Sequence, residues 1–274
     1  METNTKFKHQ MLLEHLFNKN QTISRIRAEF QDSKEIDFSG YMLENGIDVN
    51  FGMDVLTQMA LHKRADMATL VGKLRHHFET AQQVADGLLL CATHDLIDWD
   101  PNIETFIVRF TISQDVQLEI DRFSYPLPMV VPPVYLESNK QSAYLGKDYS
   151  ILLKNNHHEE DVCLDFINKT NRVAFRLNMD TARMVKNAWR NLDKAKYGES
   201  KEDYEKRVRA FERYDKHANE INELLVKEGN QFWFTNRYCK RGRRYCQGHH
   251  VNYQGTEWNK AVLEFYDEEI TPNG

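Results

Sequence analysis

Residues 230–256 read Asn230-Gln231-Phe232-Trp233-Phe234-Thr235-Asn236-Arg237-Tyr238-Cys239-Lys240-Arg241-Gly242-Arg243-Arg244-Tyr245-Cys246-Gln247-Gly248-His249-His250-Val251-Asn252-Tyr253-Gln254-Gly255-Thr256. The stretch holds no acidic residue. Arg237, Lys240, Arg241, Arg243 and Arg244 give it five positive charges, and Phe232, Trp233, Phe234, Tyr238, Tyr245 and Tyr253 interleave with them. Guanidinium forks pair with phosphates and aromatic faces stack on bases or sugars, so the combination suits nucleic acid. Gly242, between two arginines, lets the backbone approach a ligand closely. A solvated basic loop packed under a helix has the same composition, and composition alone leaves the two readings level.

Upstream of this stretch, Tyr204, Val208, Phe211, Ala218, Ile221 and Leu225 recur every three to four residues. They predict one long helix over 201–228, with Gly229 as its stop. At 1.5 Å per residue such a helix reaches roughly 40 Å. Downstream, Thr256 is a plausible cap for a last helix with Trp258, Ala261, Val262 and Phe265 on its inner face. Further back, Pro126 to Pro133 holds four of the six prolines and reads as a stiff, extended crossing. Residues 8–18, 22–31 and 53–91 read as helical, with breaks near Ala65-Asp66 and Glu79-Thr80. Residues 37–51, with Gly40 and Gly46, read as a loop. Ile103–Phe110 and Val116–Ile120 read as two strands or a hairpin, and 158–192 reads as helix carrying Leu164, Ile167 and Phe175.

The chain has 274 residues, 41% hydrophobic and 28% charged, which suits a soluble globular protein of one large domain or two small ones. No apolar run approaches a membrane span, and the N-terminus lacks a secretory pattern, so a cytoplasmic location is expected. The net charge of −5 argues against a general nucleic-acid sponge, though charge is unevenly distributed. Cys91, Cys163, Cys239 and Cys246 are expected to be reduced thiols.

Lys240-Arg241-Gly242-Arg243-Arg244-Tyr245, then Asn252-Tyr253-Gln254-Gly255 and Ala261-Val262-Leu263-Glu264-Phe265, resemble the Arg-Gly-Arg-x-Tyr block that opens the palm of T7-type single-subunit (phage and mitochondrial) RNA polymerases. Phe232-Trp233-Phe234 precedes the block as an aromatic strand does in that family. Pro128-Met129-Val130-Val131-Pro132-Pro133 resembles the family's Pro-Met-x-x-Pro-Pro segment. Asp165-Phe166-Ile167-Asn168, running through Asn171 and Phe175 to Leu177-Asn178, resembles its Asn-bearing helix. The resemblance covers about residues 124–268, and residues 1–123 carry no motif. Cys239 stands where the family has an acidic residue, and Phe175 where it has a tryptophan.

The resemblance implies a mixed α/β, mainly helical fold: the N-terminal domain (1–190), a thumb-like helical segment (191–230) and the start of the palm (231–274) of a right-hand polymerase split over two chains. It implies that Arg241 and Arg243 contact template or RNA–DNA hybrid, with Gly242 between them and Tyr245 against a base or sugar. Lys240 and Arg244 would be peripheral phosphate contacts. Lys206, Arg207, Arg209, Arg213 and Lys216 would track the hybrid from the long helix, although they also read as a solvated face alternating with Glu205, Glu212 and Asp215.

Nucleotidyl transfer needs carboxylates holding two Mg²⁺ ions. In the family these lie well downstream of the Arg-Gly-Arg block, and here only about thirty residues follow it to Gly274. His94-Asp95 echoes a catalytic His-Asp turn but lies upstream, in a helical stretch, and reads as structural. The expectation is therefore a heterodimer of the N4 type in the cytoplasm of an infected bacterial host. A large partner chain would bind Mg²⁺ and do the chemistry, with DNA template, RNA–DNA hybrid and an accessory single-stranded-DNA-binding factor as further partners. Trp258, Val262 and Phe265 would offer an exposed apolar surface to the partner chain.

No metal ligand set is expected on this chain. Cys239, Cys246, His249 and His250 lack the paired spacing of zinc knuckles. His157-His158 before Glu159-Glu160-Asp161 reads as a polar turn opening a helix. The rival function is a non-enzymatic nucleic-acid-binding regulator of transcription, which needs the basic aromatic loop but not the upstream blocks.

Overall fold

The computed structural model describes residues 2–146, 150–153, 160, 163–189 and 192–267, so the His157-His158 segment, apart from Glu160, lies outside the described residues. The chain divides into two compact units, Asn18–Asp121 and a second that joins Met1–Phe17 to Arg122–Gly274. The described residues are mixed α/β, about half of them helical, and the strands form small antiparallel sheets. No described helix is long and apolar enough to cross a membrane.

Helix α1 (Glu2–Leu16) belongs to the second unit. The first unit begins with α2 (Lys19–Gln31), α3 (Phe38–Glu44) and α4 (Val49–His62). It continues through β1 (Arg64–Asp66), α5 (Met67–Leu74), a 3-10 turn at Arg75–His77 and α6 (Ala81–Thr93). Strands β2 (Asp98–Asp100) and β3 (Thr105–Ile107) and helix α7 (Gln114–Arg122) close it. Side-chain oxygens cap the helices. Asp37 accepts from Gly40 N–H, Asp48 from Phe51, Asp66 from Thr69, and Thr80 and Gln83 form a reciprocal capping box on α6. Phe51, Leu56, Met59, Leu70, Leu88 and Phe106 fill the core. Gly52 and Gly87 allow close packing there, because a Cβ would come within 2.6 Å of Met42 Sδ at the first and 2.9 Å of Phe51 Cε1 at the second.

The structure corrects two expectations in this unit. Residues 37–51 are not a loop: Gly40 lies inside α3, and only Gly46, at φ +68°, breaks the chain. Val116–Ile120 is helix, not strand, because the apolar positions that turn inward are Ile112, Val116 and Ile120, four apart. The breaks expected near 65 and 79 do occur, the first as the short strand β1, which pairs with β3.

In the second unit, α8 (Leu164–Asn171), β4 (Ala174–Leu177) and α9 (Met179–Met184) follow the proline crossing. The long helix α10 (Lys201–Lys227) comes next, capped by Ser200 and stopped at Gly229, whose φ is +103°. Then come β5 (Phe232–Trp233), β6 (Asn236–Tyr238), β7 (Arg244–Cys246), α11 (Glu257–Ala261) and β8 (Leu263–Phe265). Strands β5, β4 and β8 form one antiparallel sheet in that order, with Phe175 opposite Phe232 on one side and Phe265 on the other. Residues 158–192 are thus not one helix. Asn171 ends α8, and the run Ala174-Phe175 is strand. The last helix is also shorter than its apolar spacing suggested. Leu263 to Phe265 leave it to pair with β4, and Glu264 takes Arg176 and Asn178 as partners.

The core of this unit joins Ala218, Ile221 and Leu225 of α10 to Phe232, Phe234, Trp258 and Val262, with Met129 and Val131 of the proline crossing. Met129 and Trp233 exchange two backbone hydrogen bonds of 2.8 Å, which ties the crossing to the edge of β5. Where ladders are short, side chains satisfy the buried backbone. Asn168 accepts from Leu136 N–H and donates to Leu136 C=O, both at 2.8 Å. Asn230 does the same for Leu177 at 2.9 Å. The buried Glu14 carboxylate accepts from Leu145 and Gly146 N–H, and Gln10 accepts from Val130 N–H.

Replacing Asn168 with Ala strands two buried backbone groups of Leu136. It should lower stability by about 3 kcal/mol, measured by urea unfolding, far more than a surface Asn→Ala control.

Candidate nucleic-acid interface

Strands β6 and β7 form a hairpin with Asn236 opposite Cys246, Arg237 opposite Tyr245 and Tyr238 opposite Arg244. The connection is set by two backbone bonds, Gly242 N–H to Cys239 C=O at 2.8 Å and Cys239 N–H to Arg243 C=O at 3.0 Å. This is a three-residue loop, Lys240-Arg241-Gly242, closed by a residue in the left-handed region. Gly242 supplies it at φ +72°. The turn thereby holds Lys240, Arg241 and Arg243 outward, all exposed, with half-exposed Tyr245 beside them.

Cys239 takes an acceptor role in this turn. Desolvation pushes its thiol pKa up. Hydrogen bonds from the Arg241 and Arg243 backbone and from the Arg241 and Tyr245 side chains outweigh that and leave it below the ordinary thiol value.

Arg244 differs from its neighbours. Its guanidinium donates to Thr170 Oγ1 at 2.8 Å, and its carbon lies 5.1 Å from the Phe166 ring centroid and 5.7 Å from that of Tyr253. It clamps the hairpin to α8 and to the 252–255 turn, where cation–π contact adds to the hydrogen bond. Arg237 is half-buried and donates to Leu152 C=O. The inner side of the hairpin is continued by Asn236, which donates to Asn171 Oδ1 at 2.8 Å and accepts from the Tyr253 hydroxyl. Burial pushes the Tyr253 hydroxyl pKa up to about 12, so it stays a donor.

On α10, Lys206, Arg209, Arg213 and Lys216 share one exposed face. Lys206 and Arg209 lie 3.5 to 3.7 Å from Glu202, Asp203 and Glu205 of their own helix, contacts of small energy. Arg213 and Lys216 form no ion pair among the described residues. Arg207 points elsewhere. Its guanidinium grips Glu199 through contacts of 2.6 and 2.7 Å, and that hydrogen bonding, more than charge alone, pulls the Glu199 carboxyl down to about 2. Arg207 therefore anchors the start of α10.

Of the three residues expected to offer an apolar surface, Trp258 and Val262 are core residues, 4% and 1% exposed, and Trp258 Nε1 donates to Val185 C=O. The short α11 turns both inward, and only Phe265, 66% exposed, stands at the surface. Cys239, Cys246, His249 and His250 are not gathered into one ligand set among the described residues. Cys246 faces the interior, where burial pushes its thiol up to about 12. His94 ends α6, and Asp95 pairs with Arg109 at 3.0 Å.

His250 is buried among Tyr125, Tyr214, His217 and His249, and neither ring nitrogen has a partner among the described groups. Burial first, then His249 and His217, lower its pKa to about 4, against a smaller opposing pull from Glu220.

Sequence reasoning missed the inward clamp of Arg244, whose partners Phe166 and Thr170 stand four apart on α8. It also missed Glu199, and a cluster of Asp54, His76 and His77 in the first unit, signalled only by the histidine doublet. No protein-family model and no curated protein matches this sequence.

Two outcomes follow from this geometry. A Cβ at Gly242 would meet nothing within 4 Å, so Gly242→Ala should cost only the left-handed conformation, about 1 kcal/mol in thermal unfolding. His250 has a folded pKa below its unfolded value of 6.5, so the unfolded chain takes up the proton first. Stability from this residue is complete above pH 6.5 and falls as pH drops toward 4, by at most about 1.4 kcal/mol per pH unit. His250→Leu should be as stable as the parent at pH 7.5 and show a shallower decline between pH 6.5 and 4.5 in urea titrations.

Proposed function

We propose that this chain is one subunit of a two-chain DNA-directed RNA polymerase of the T7-type single-subunit class, comparable to the small subunit of the N4-type phage enzyme. It supplies grip on template and RNA–DNA hybrid, and its partner supplies the metal-binding carboxylates. One observation carries the reading. The sequence blocks that resemble this family, at 128–133, 165–178, 232–234 and 240–265, pack together in a single unit. Met129 pairs with Trp233, Phe175 with Phe232 and Phe265, and Arg244 seats on Phe166 and Tyr253.

Within this reading the residues divide by role. Lys240, Arg241 and Arg243 are exposed at the hairpin tip and reach phosphates as charge-assisted donors. Tyr245, on the outer face of β7, stacks on a base or sugar. Arg244 positions the hairpin from below. Lys206, Arg209, Arg213 and Lys216 offer a second row of positive charge along α10, at a helical spacing that follows a phosphate backbone, while Arg207 holds the helix in place. The partner contributes Mg²⁺ and the two-metal chemistry. Phe265, at the exposed end of β8, is one apolar residue available to meet it.

The test is RNA synthesis on a pre-melted template, with the chain alone and then co-expressed with candidate partner chains from the same genome. Activity should require a partner. Arg243→Ala should abolish most of it while the complex stays intact, and Arg207→Ala should lower thermal stability with little loss of nucleic-acid affinity. Each phosphate contact removed by Lys240→Ala, Arg241→Ala or Arg243→Ala should reduce the slope of log affinity against log salt by about 0.7 to 0.9. Synthesis by the chain alone would overturn the division of labour. Salt-sensitive binding with no active partner would favour a non-enzymatic regulator, whose exposed cations need no second chain.

A further inference from the structure

Asp54 sits on α4, and His76 and His77 form the 3-10 turn between α5 and α6. Their ligand atoms all lie within 4.8 Å of one another. His77 Nε2 is 2.7 Å and His76 Nε2 is 3.5 Å from the same oxygen, Asp54 Oδ2. The other oxygen, Oδ1, is held by the Arg27 guanidinium from α2, which also donates to Asn50 Oδ1 at 3.0 Å.

We infer that Asp54, His76 and His77 form a binding site for a divalent transition-metal ion of the zinc class. The site is independent of the nucleic-acid surface proposed above. A hydrogen bond between His77 and Asp54 explains those two residues. It does not explain His76. That side chain is 64% exposed, yet it turns its nitrogen to the same carboxylate oxygen, with its ring 4.2 Å from that of His77. Two imidazole nitrogens and one carboxylate oxygen converging on one point are the donor set of a three-ligand zinc site with open positions for water.

The spacing suits such an ion. Ligand atoms about 2.0 to 2.1 Å from a tetrahedral metal stand roughly 3.3 Å apart. The pair of His76 and Asp54 is already at 3.5 Å, and the pair at 2.7 Å need open by only about 0.6 Å as the metal replaces the proton between them. Arg27 fits as an outer partner. It holds Oδ1 and so fixes the carboxylate with Oδ2 turned to the two histidines, an arrangement that orients ligating carboxylates. Imidazole donors favour Zn²⁺, Co²⁺ or Ni²⁺ over Mg²⁺ or Ca²⁺, which take oxygen shells. The ion would tie α4, and through Arg27 also α2, to the turn between α5 and α6. Its consequence is stability of the helical unit, because a ligand bound only to the folded state raises the melting temperature with its concentration.

The experiment uses the full chain without a histidine tag, freed of metal by chelator. Thermal melts and calorimetric titrations are run with Zn²⁺ and with Mg²⁺, and visible absorption with Co²⁺. The expected result is one Zn²⁺ or Co²⁺ per chain, a melting temperature several degrees higher with Zn²⁺ and unchanged with Mg²⁺, and ligand-field bands of a nitrogen–oxygen site. His76→Ala removes an exposed side chain and should leave the metal-free melting temperature unchanged while weakening binding at least tenfold. Asp54→Asn should weaken it similarly. No binding at micromolar metal, binding unaltered in His76→Ala, or thiolate charge-transfer absorption showing cysteine ligation would each overturn the site.

Discussion

Backbone N–H and C=O groups buried away from water must be paired, and the second unit meets this demand with strands of only two to four residues. Most of its described residues between 123 and 163 lie outside any helix or strand. Amides and one carboxylate therefore take the place of neighbouring strands. Asn168 and Asn230 each present an acceptor and a donor to one residue's backbone, as a paired strand would, and Glu14 closes two N–H groups with one side chain. Asn259 caps α11 and also holds His250 C=O. The apolar core supplies the driving force, but these contacts select which loop lies where, since a misplaced loop would bury unpaired polar groups.

The hairpin at 236–246 depends on that scaffold. Its turn projects positive charge because a left-handed glycine closes it, and its base is immobilised by Arg244 on Phe166, Thr170 and Tyr253. Five cations of similar composition therefore have two kinds of work. Arg237 and Arg244 lie against the fold, and Lys240, Arg241 and Arg243 face solvent. The same division appears on α10, where Arg207 is spent on Glu199 and its neighbours Lys206 and Arg209 stay on the open face.

The sequence made some of this legible. The limits of α10 could be read because a long 3.6-residue period averages out local ambiguity and Gly229 ends it. The capping role of Thr256 and the extended proline crossing followed from single-residue chemistry. Shorter runs misled. Val116 to Ile120 alternates over five residues, too few to separate a period of two from one of four, and Leu263 to Phe265 fits helix or strand until β4 pairs with it. The glycines at 40 and 46 looked alike, yet only the second adopts a positive φ. For the site, the basic composition was visible. The direction of each arginine was not, because the partners of Arg244 come from segments 74 and 78 residues earlier and nine later. Tertiary pairing of that kind leaves no local trace.

The placement of α1 has a consequence for the order of events during synthesis. This helix reaches its partners far along the chain: Gln10 bonds a backbone group 120 residues away, Glu14 one 131 away, and His9 meets Glu228 at a separation of 219. The helical unit at Asn18–Asp121 is an insertion between the two parts of its neighbour, and every contact within it can form as soon as its last residues leave the ribosome. Helix α1, though translated before that unit, has Met11 and Leu12 exposed even in the finished fold, and it must wait for segments beyond residue 122 before Leu13 and Phe17 are covered. A segment made before the inserted unit is thus secured after it, and in the interval it remains open to chaperones and proteases.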